Sequence, residues 1–140
     1  MYLKEQARRE ALVQLSIDQV DKMTGVEFEN YVEALLRRDG YKTETTPTSG
    51  DYGVDLVAIK DKQHIAIQCK RYTKNIDQAA VREVYAGMTK YHCSLGVVIT
   101  NRHFTKHAVD LASSTNCILI DREKLALLAS KRSTIDGYLR

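Results

Sequence analysis

The stretch from Val54 to Lys70, VDLVAIKDKQHIAIQCK, restricts the rest of the chain more than any other. Two short β-branched runs, Val54 to Ile59 and His64 to Lys70, flank the polar Lys60-Asp61-Lys62-Gln63, a pattern that predicts a hairpin. A turn centred between Asp61 and Lys62 sets Asp55 opposite Gln68 and Val57 opposite Ala66. Side chains alternate along a strand, so Gln68 and Lys70 share one face while Ile65, Ile67 and Cys69 point the other way, into core. Opposed Cβ atoms lie roughly 4.5–5.5 Å apart. Asp55, Gln68 and Lys70 can therefore converge on one point.

An ionised Asp and an amide oxygen are hard ligands of the kind Mg²⁺ accepts, usually alongside waters and substrate phosphate. A Lys beside them orients or helps deprotonate a water and offsets charge building on phosphorus. The triplet suits phosphodiester hydrolysis, although one Asp, one Gln and one Lys on a hairpin is also a common structural arrangement. Wider pattern has to decide between the two.

In order along the chain stand GVEFENYVEALLRRDGY, GDYGVDLVA, IQCKRY, AVREVYAG, and LGVVITN with FTKHAVDLA. From about Thr24 to about Ala129 this order resembles the Mrr-like restriction endonucleases of the PD-(D/E)xK nuclease superfamily. The resemblance implies an α/β fold with a restriction-endonuclease-like core in the order αβββαβ, a mixed central sheet flanked by helices, plus an N-terminal helix. It implies a Mg²⁺-dependent DNA endonuclease in which Mn²⁺ can substitute. Asp55 matches the family's metal-binding Asp, Gln68-Cys69-Lys70 its QxK variant, and Phe28-Glu29 its helix-borne Glu. In that scheme Asp55, Gln68 and the Cys69 backbone carbonyl bind Mg²⁺, and Lys70 positions the water. A carboxylate in place of Gln68 is expected to fit the strand without repacking and to bind metal more tightly. Members of the family are associated with cutting modified, foreign DNA, their recognition coming from an added domain, so a separate specificity protein is one expectation. Cutting both strands needs two active sites, which suggests a homodimer. The alternatives are a Holliday-junction-resolvase-like or DNA-repair nuclease, or a weakly catalytic DNA-binding module with the nuclease fold.

The 140 residues, 44% apolar with one Pro and no Trp, have the size and composition of one globular domain. The expected division is a helical extension over 1–23, a nuclease domain over 24–131 and a loosely held tail over 132–140. Without a membrane-length apolar run or a signal-peptide pattern, the expected location is the cytoplasm. Cys69, Cys93 and Cys117 sit in or beside apolar runs and read as reduced core thiols. The net charge of +3 leans mildly toward polyanions. Its local clusters are more telling: Arg71 and Lys74 follow the hairpin, and Arg102 and Lys106 open a later helix, so these four are the candidate DNA contacts. His103 and His107 stand four apart, but no Glu follows His103 and the zinc-protease pattern is absent.

Residues 3–21 have helical spacing and predict one amphipathic helix. Thr24-Gly25-Val26-Glu27 has the form of a capping box, starting a helix that runs through Arg38 and stops at Gly40. On it Phe28, Val32, Leu35 and Leu36 form the buried stripe, with Glu29 at its margin and Glu27 committed to the cap. Tyr41 to Thr48 reads as a strand, followed by a glycine loop in which Asp51 is either a turn residue or a rival metal ligand. Asp77 caps a helix to about Lys90 that buries Ala80, Val81, Val84, Tyr85 and Met88. A covered strand at Ser94 to Thr100, a helix at Thr105 to Ser113, a strand at Cys117 to Ile120 and a last helix at Arg122 to Lys131 complete a partly parallel sheet.

Overall fold

The computed structural model describes residues 2–46 and 53–139. The loop that carries Asp51 lies outside the described residues. The hairpin forms from β2 (Leu56–Lys60) and β3 (Gln63–Lys70), with Val57 opposite Ala66 as the sequence predicts. Asp61 and Lys62 both take positive φ, at 50° and 68°, the backbone that a two-residue turn needs to match the twist of its strands. β1 (Lys42–Thr45) adds antiparallel to β2, while β4 (Leu95–Thr100) and β5 (Cys117–Ile120) add parallel beyond β3. The result is a five-stranded mixed sheet in the order β1-β2-β3-β4-β5.

Alternation along these strands divides the core in two. Leu56, Ala58, Ile65, Ile67, Val97 and Ile99 face one way, against Phe28, Val32 and Leu35 of α3 (Gly25–Arg38) and Leu125 and Leu128 of α6 (Arg122–Ala129). Val57, Ala66 and Val98 face the other way, against Val81 and Val84 of α4 (Gln78–Lys90) and Ala108 and Ala112 of α5 (Lys106–Ser113). Helices on both faces are what a sheet with buried parallel strands requires. The α3 capping box forms as expected: Glu27 Oε1 accepts from the Thr24 N–H at 2.9 Å, and Thr24 Oγ1 accepts from the Glu27 N–H at 3.1 Å. Gly40 then leaves the helix at φ 92°.

Three expectations change. The single helix over 3–21 is two, α1 (Tyr2–Leu12) and α2 (Ile17–Val20), because Ser16 and Gln19 form a second capping box that starts a new helix. Tyr85 is 51% exposed rather than buried, since α4 turns it off the stripe made by Val81 and Val84. The tail is partly anchored through α7 (Ile135–Tyr138): Ile135 is buried, its N–H donates to Asp39 Oδ2 at 3.0 Å, and Lys60 Nζ meets Asp136 Oδ2 at 3.0 Å. The Tyr41 hydroxyl also donates to Asp136. Among the described residues no helix is long and apolar enough to cross a membrane.

Candidate active site

The parallel strands β3 and β4 end together, with Lys70 beside Thr100, and Thr100 Oγ1 donates to the Lys70 carbonyl at 2.6 Å. The connections that follow run side by side, joined where the Ile76 N–H donates to the His103 carbonyl at 2.8 Å and the Thr105 N–H to the Ile76 carbonyl at 3.0 Å. Functional groups carried on both connections therefore gather at one edge of the sheet, the usual place for a site in an α/β fold.

Asp55 sits just ahead of β2; its N–H donates at 2.8 Å to the carbonyl of Ile67, which is already the partner of Leu56, so the pairing slips by one residue here and the expected opposition of Asp55 and Gln68 does not continue the ladder. Its carboxylate Oδ2 accepts from the Cys69 N–H at 2.7 Å. A residue in an antiparallel pair presents its N–H and C=O to the same side, so the Cys69 carbonyl lies on the Asp55 edge too. The Cys69 side chain packs toward α3, and burial pushes its thiol well above the ordinary range, which leaves it inert.

Gln68 and Lys70 project from the opposite face, toward α4. Gln68 is 2% exposed; its Nε2 donates to Glu83 Oε2 at 2.7 Å, and its buried Oε1 has no hydrogen-bond partner among the described residues. Lys70 Nζ lies 3.5 Å from that same Glu83 oxygen and 3.4 Å from the Tyr72 hydroxyl. Sequence reasoning did not single out Glu83. Its signal was its place on α4, three residues after the buried Ala80 and four before the buried Gly87, at the margin of the packed face.

Burial is the main force raising the Asp55 carboxyl above its ordinary value, opposed by the Cys69 N–H and the Lys70 charge and assisted by the Glu83 charge. Glu29, reaching in from α3, is raised by burial and then by Asp55. The edge thus concentrates carboxylates that resist ionising together.

Of the basic candidates, Lys74 and Lys106 are exposed and Arg71 and Arg102 half-buried; Arg71, Lys74 and Arg102 lie on the two connections, and Lys106 is the first residue of α5. Arg71 Nη1 also donates to the Asp21 carbonyl at 3.4 Å. Asn101, 1% exposed and absent from the sequence reading, braces the region: its Oδ1 accepts from the Tyr72 N–H and its Nδ2 donates to Asp21 Oδ1, each at 2.9 Å. Arg122 Nη1 meets the same Asp21 oxygen at 2.7 Å and holds that carboxyl below its usual value. Hence the residues just after α2 help fix the chain that leaves Lys70. His103 precedes the α5 N-cap Thr105 and shares no helical face with His107; its Nε2 lies 3.2 Å from Glu123 Oε1.

A family model described as a restriction endonuclease, Mrr_cat, matches residues 20–129. The chain belongs to this Mrr-like family. It is 27% identical over 129 residues to the "Type IV methyl-directed restriction enzyme EcoKMrr" of Escherichia coli (strain K12), covering 86% of this chain and 42% of that protein. Among solved structures, a protein of unknown function, AF1548, superposes with a TM-score of 0.60 at 22% identity over 72% of this chain and 63% of that one. The "DNA modification-dependent restriction endonuclease AspBHI" superposes with a TM-score of 0.58 at 19% identity over 97% of this chain and 39% of that one. The Mrr-like chain spans less than half the length of EcoKMrr and of AspBHI. Its mixed sheet with flanking helices is the restriction-endonuclease-like fold expected.

The raised Asp55 carboxyl makes a prediction for the metal-free protein. A carboxylic acid raised in the folded state contributes stability that is present below its ordinary pKa and is lost as pH rises through the raised value. At neutral pH the ionised Asp55 therefore costs stability. Asp55→Asn keeps an oxygen for the Cys69 N–H and removes the charge, so its melting temperature at pH 7 should exceed the parent's, by about 2–4 °C for each kcal/mol relieved. Melting curves from pH 4 to 8 should show the two proteins diverging as pH rises. A variant that melts below the parent throughout would contradict this.

Proposed function

We propose that this Mrr-like domain is a divalent-metal-dependent endonuclease that hydrolyses phosphodiester bonds in DNA. The observation that carries the reading is Gln68 Oε1, a buried acceptor without a partner among the described residues, on the sheet edge that also holds the Asp55 carboxylate and the Lys70 ammonium. A buried polar atom left unpaired is costly, and a cation would satisfy it. The same cation would offset the burial that chiefly raises Asp55 and Glu29, and the neighbouring carboxylate charge that adds to it. This donor set fits Mg²⁺ or Mn²⁺: Asp55, Gln68 Oε1 and the Cys69 carbonyl are all hard oxygen ligands. When bound, such an ion supplies Lewis-acid stabilisation of the phosphoryl oxygens.

The chain's own residues do the rest. Lys70 holds the attacking water and sets its charge against that developing on phosphorus. Glu29 orients the water from the α3 side. Arg71, Lys74, Arg102 and Lys106 take backbone phosphates along the edge, contacts that position DNA without reading its sequence. The names of EcoKMrr and AspBHI point to restriction of methylated or otherwise modified DNA as the setting. Recognition of the modification then falls to another domain or protein, and cutting of both strands to a homodimer.

The test is incubation with supercoiled, linear, methylated and four-way-junction DNA, with and without Mg²⁺ or Mn²⁺. Nicking of supercoiled DNA that requires the metal is expected. Binding without cleavage of any substrate would favour a DNA-binding module instead, and cleavage confined to the junction would favour a resolvase.

A further inference from the structure

Glu83, carried in the AVREVYAG block, is a charged group at the site to which neither the metal assignment nor the DNA contacts give a role. Its Oε2 receives the Gln68 Nε2 at 2.7 Å and lies 3.5 Å from Lys70 Nζ. The direction of the Gln68 amide follows from this contact. A flipped amide would set its oxygen against a carboxylate oxygen at hydrogen-bond distance, so only the nitrogen can face α4. Oε1 is then the atom turned away from α4, buried and without a partner among the described residues. The contact is also enclosed. Gly53 has φ 61°, and a Cβ there would stand 2.5 Å from Glu83 Cβ and 2.6 Å from Gln68 Nε2, so the backbone two residues before Asp55 closes directly over the pair.

We infer that Glu83 is a positioning residue: it locks the Gln68 amide with its oxygen toward the metal and steadies Lys70 beside it. A neutral amide is a weak ligand for a hard cation and can rotate to offer nitrogen, which is no ligand at all. A partner that accepts only from nitrogen removes the unproductive rotamer before the ion arrives. The role is the fixing of an orientation, so it requires an acceptor at this place more than a negative charge.

The inference rests on the metal reading of the site, and the experiment separates the two. Mn²⁺ binding to the DNA-free protein is measured by calorimetry for the parent, Glu83→Gln and Glu83→Ala, beside ¹H–¹⁵N spectra of the Gln68 side-chain amide without metal. Glu83→Gln keeps an oxygen that accepts from Gln68; Glu83→Ala keeps none. Orientation by Glu83 predicts that Glu83→Ala weakens Mn²⁺ about 10- to 100-fold while Glu83→Gln stays within about threefold of the parent. The Gln68 amide protons should be shifted downfield and slow to exchange in the parent and Glu83→Gln, and free in Glu83→Ala. Equal weakening in both variants would make Glu83 a source of charge or a ligand and overturn the inference, and so would parent-like binding in both. A parent that binds no Mn²⁺ would overturn the reading of the site itself. Glu83 is 44% exposed on a helix, where alanine is well tolerated, so loss of fold does not confound the comparison.

Discussion

Replacing Lys70 with alanine should lower the rate of DNA cleavage by about 10²–10³-fold or more, the effect of removing a group that meets charge in the transition state. The fold should survive. The Lys70 carbonyl, not its side chain, receives Thr100 Oγ1, and the strand pairing on both sides of β3 is made by backbone. The ammonium's ion pair with Glu83 is a long one, 3.5 Å, to a partner 44% exposed, and pairs of that kind contribute at most about 1 kcal/mol. Lys70→Arg keeps the charge but not the compact ammonium, so it should restore only part of the rate. Nicking of supercoiled DNA and thermal melting would be followed on the same preparations. A stable Lys70→Ala protein that cleaves at the parent rate would remove Lys70 from the chemistry.

What the sequence made legible was the part governed by short-range rules. The register that sets Val57 opposite Ala66 follows from a two-residue turn at Asp61-Lys62, and the α3 boundaries follow from a capping box and Gly40. The same rules were present and overlooked at Ser16-Ile17-Asp18-Gln19, where a capping box splits what periodicity alone presents as one helix. Contacts between distant segments were not legible. Glu83 reaches Gln68 only because α4 packs on the face of β3 opposite α3, and Asn101 acts by joining Tyr72, 29 positions away, to Asp21, 80 positions away. No local pattern encodes such a meeting. The tail's anchoring escapes a local reading for the same reason, since its anchors include Asp39, Tyr41 and Lys60, all far from it in sequence.

Gln68→Glu shows how far a single long-range contact changes an expectation. From the strand alone a carboxylate is expected to fit at this place without repacking. Against Glu83 it is expected instead to destabilise the metal-free protein. The exchange removes the only donor in a 2.7 Å contact and leaves two acidic groups at hydrogen-bond distance, one of them on a residue 2% exposed. Either they share a proton, as closely spaced carboxyls do, or Glu83 swings toward solvent and leaves the new charge buried and unpaired. The cost of either is about 1–3 kcal/mol, that of stranding a buried polar or charged group. Sharing a proton raises the new acid's pKa, so by linkage the loss should deepen as pH rises from 6 to 8. Millimolar Mg²⁺ or Mn²⁺ should reverse it, because the added charge that is unwelcome in the free protein strengthens binding of a hard cation. The double exchange Gln68→Glu with Glu83→Gln restores one donor, one acceptor and the original net charge across the same two positions. It should therefore recover most of the lost stability, as a coupling energy between neighbours rather than a sum of independent effects. Melting temperatures of the parent, both single variants and the double variant, with chelator and with metal, close the cycle. If Gln68→Glu melts with the parent in chelator at pH 8, then Glu83 does not hold the amide, and the expectation drawn from the strand alone stands.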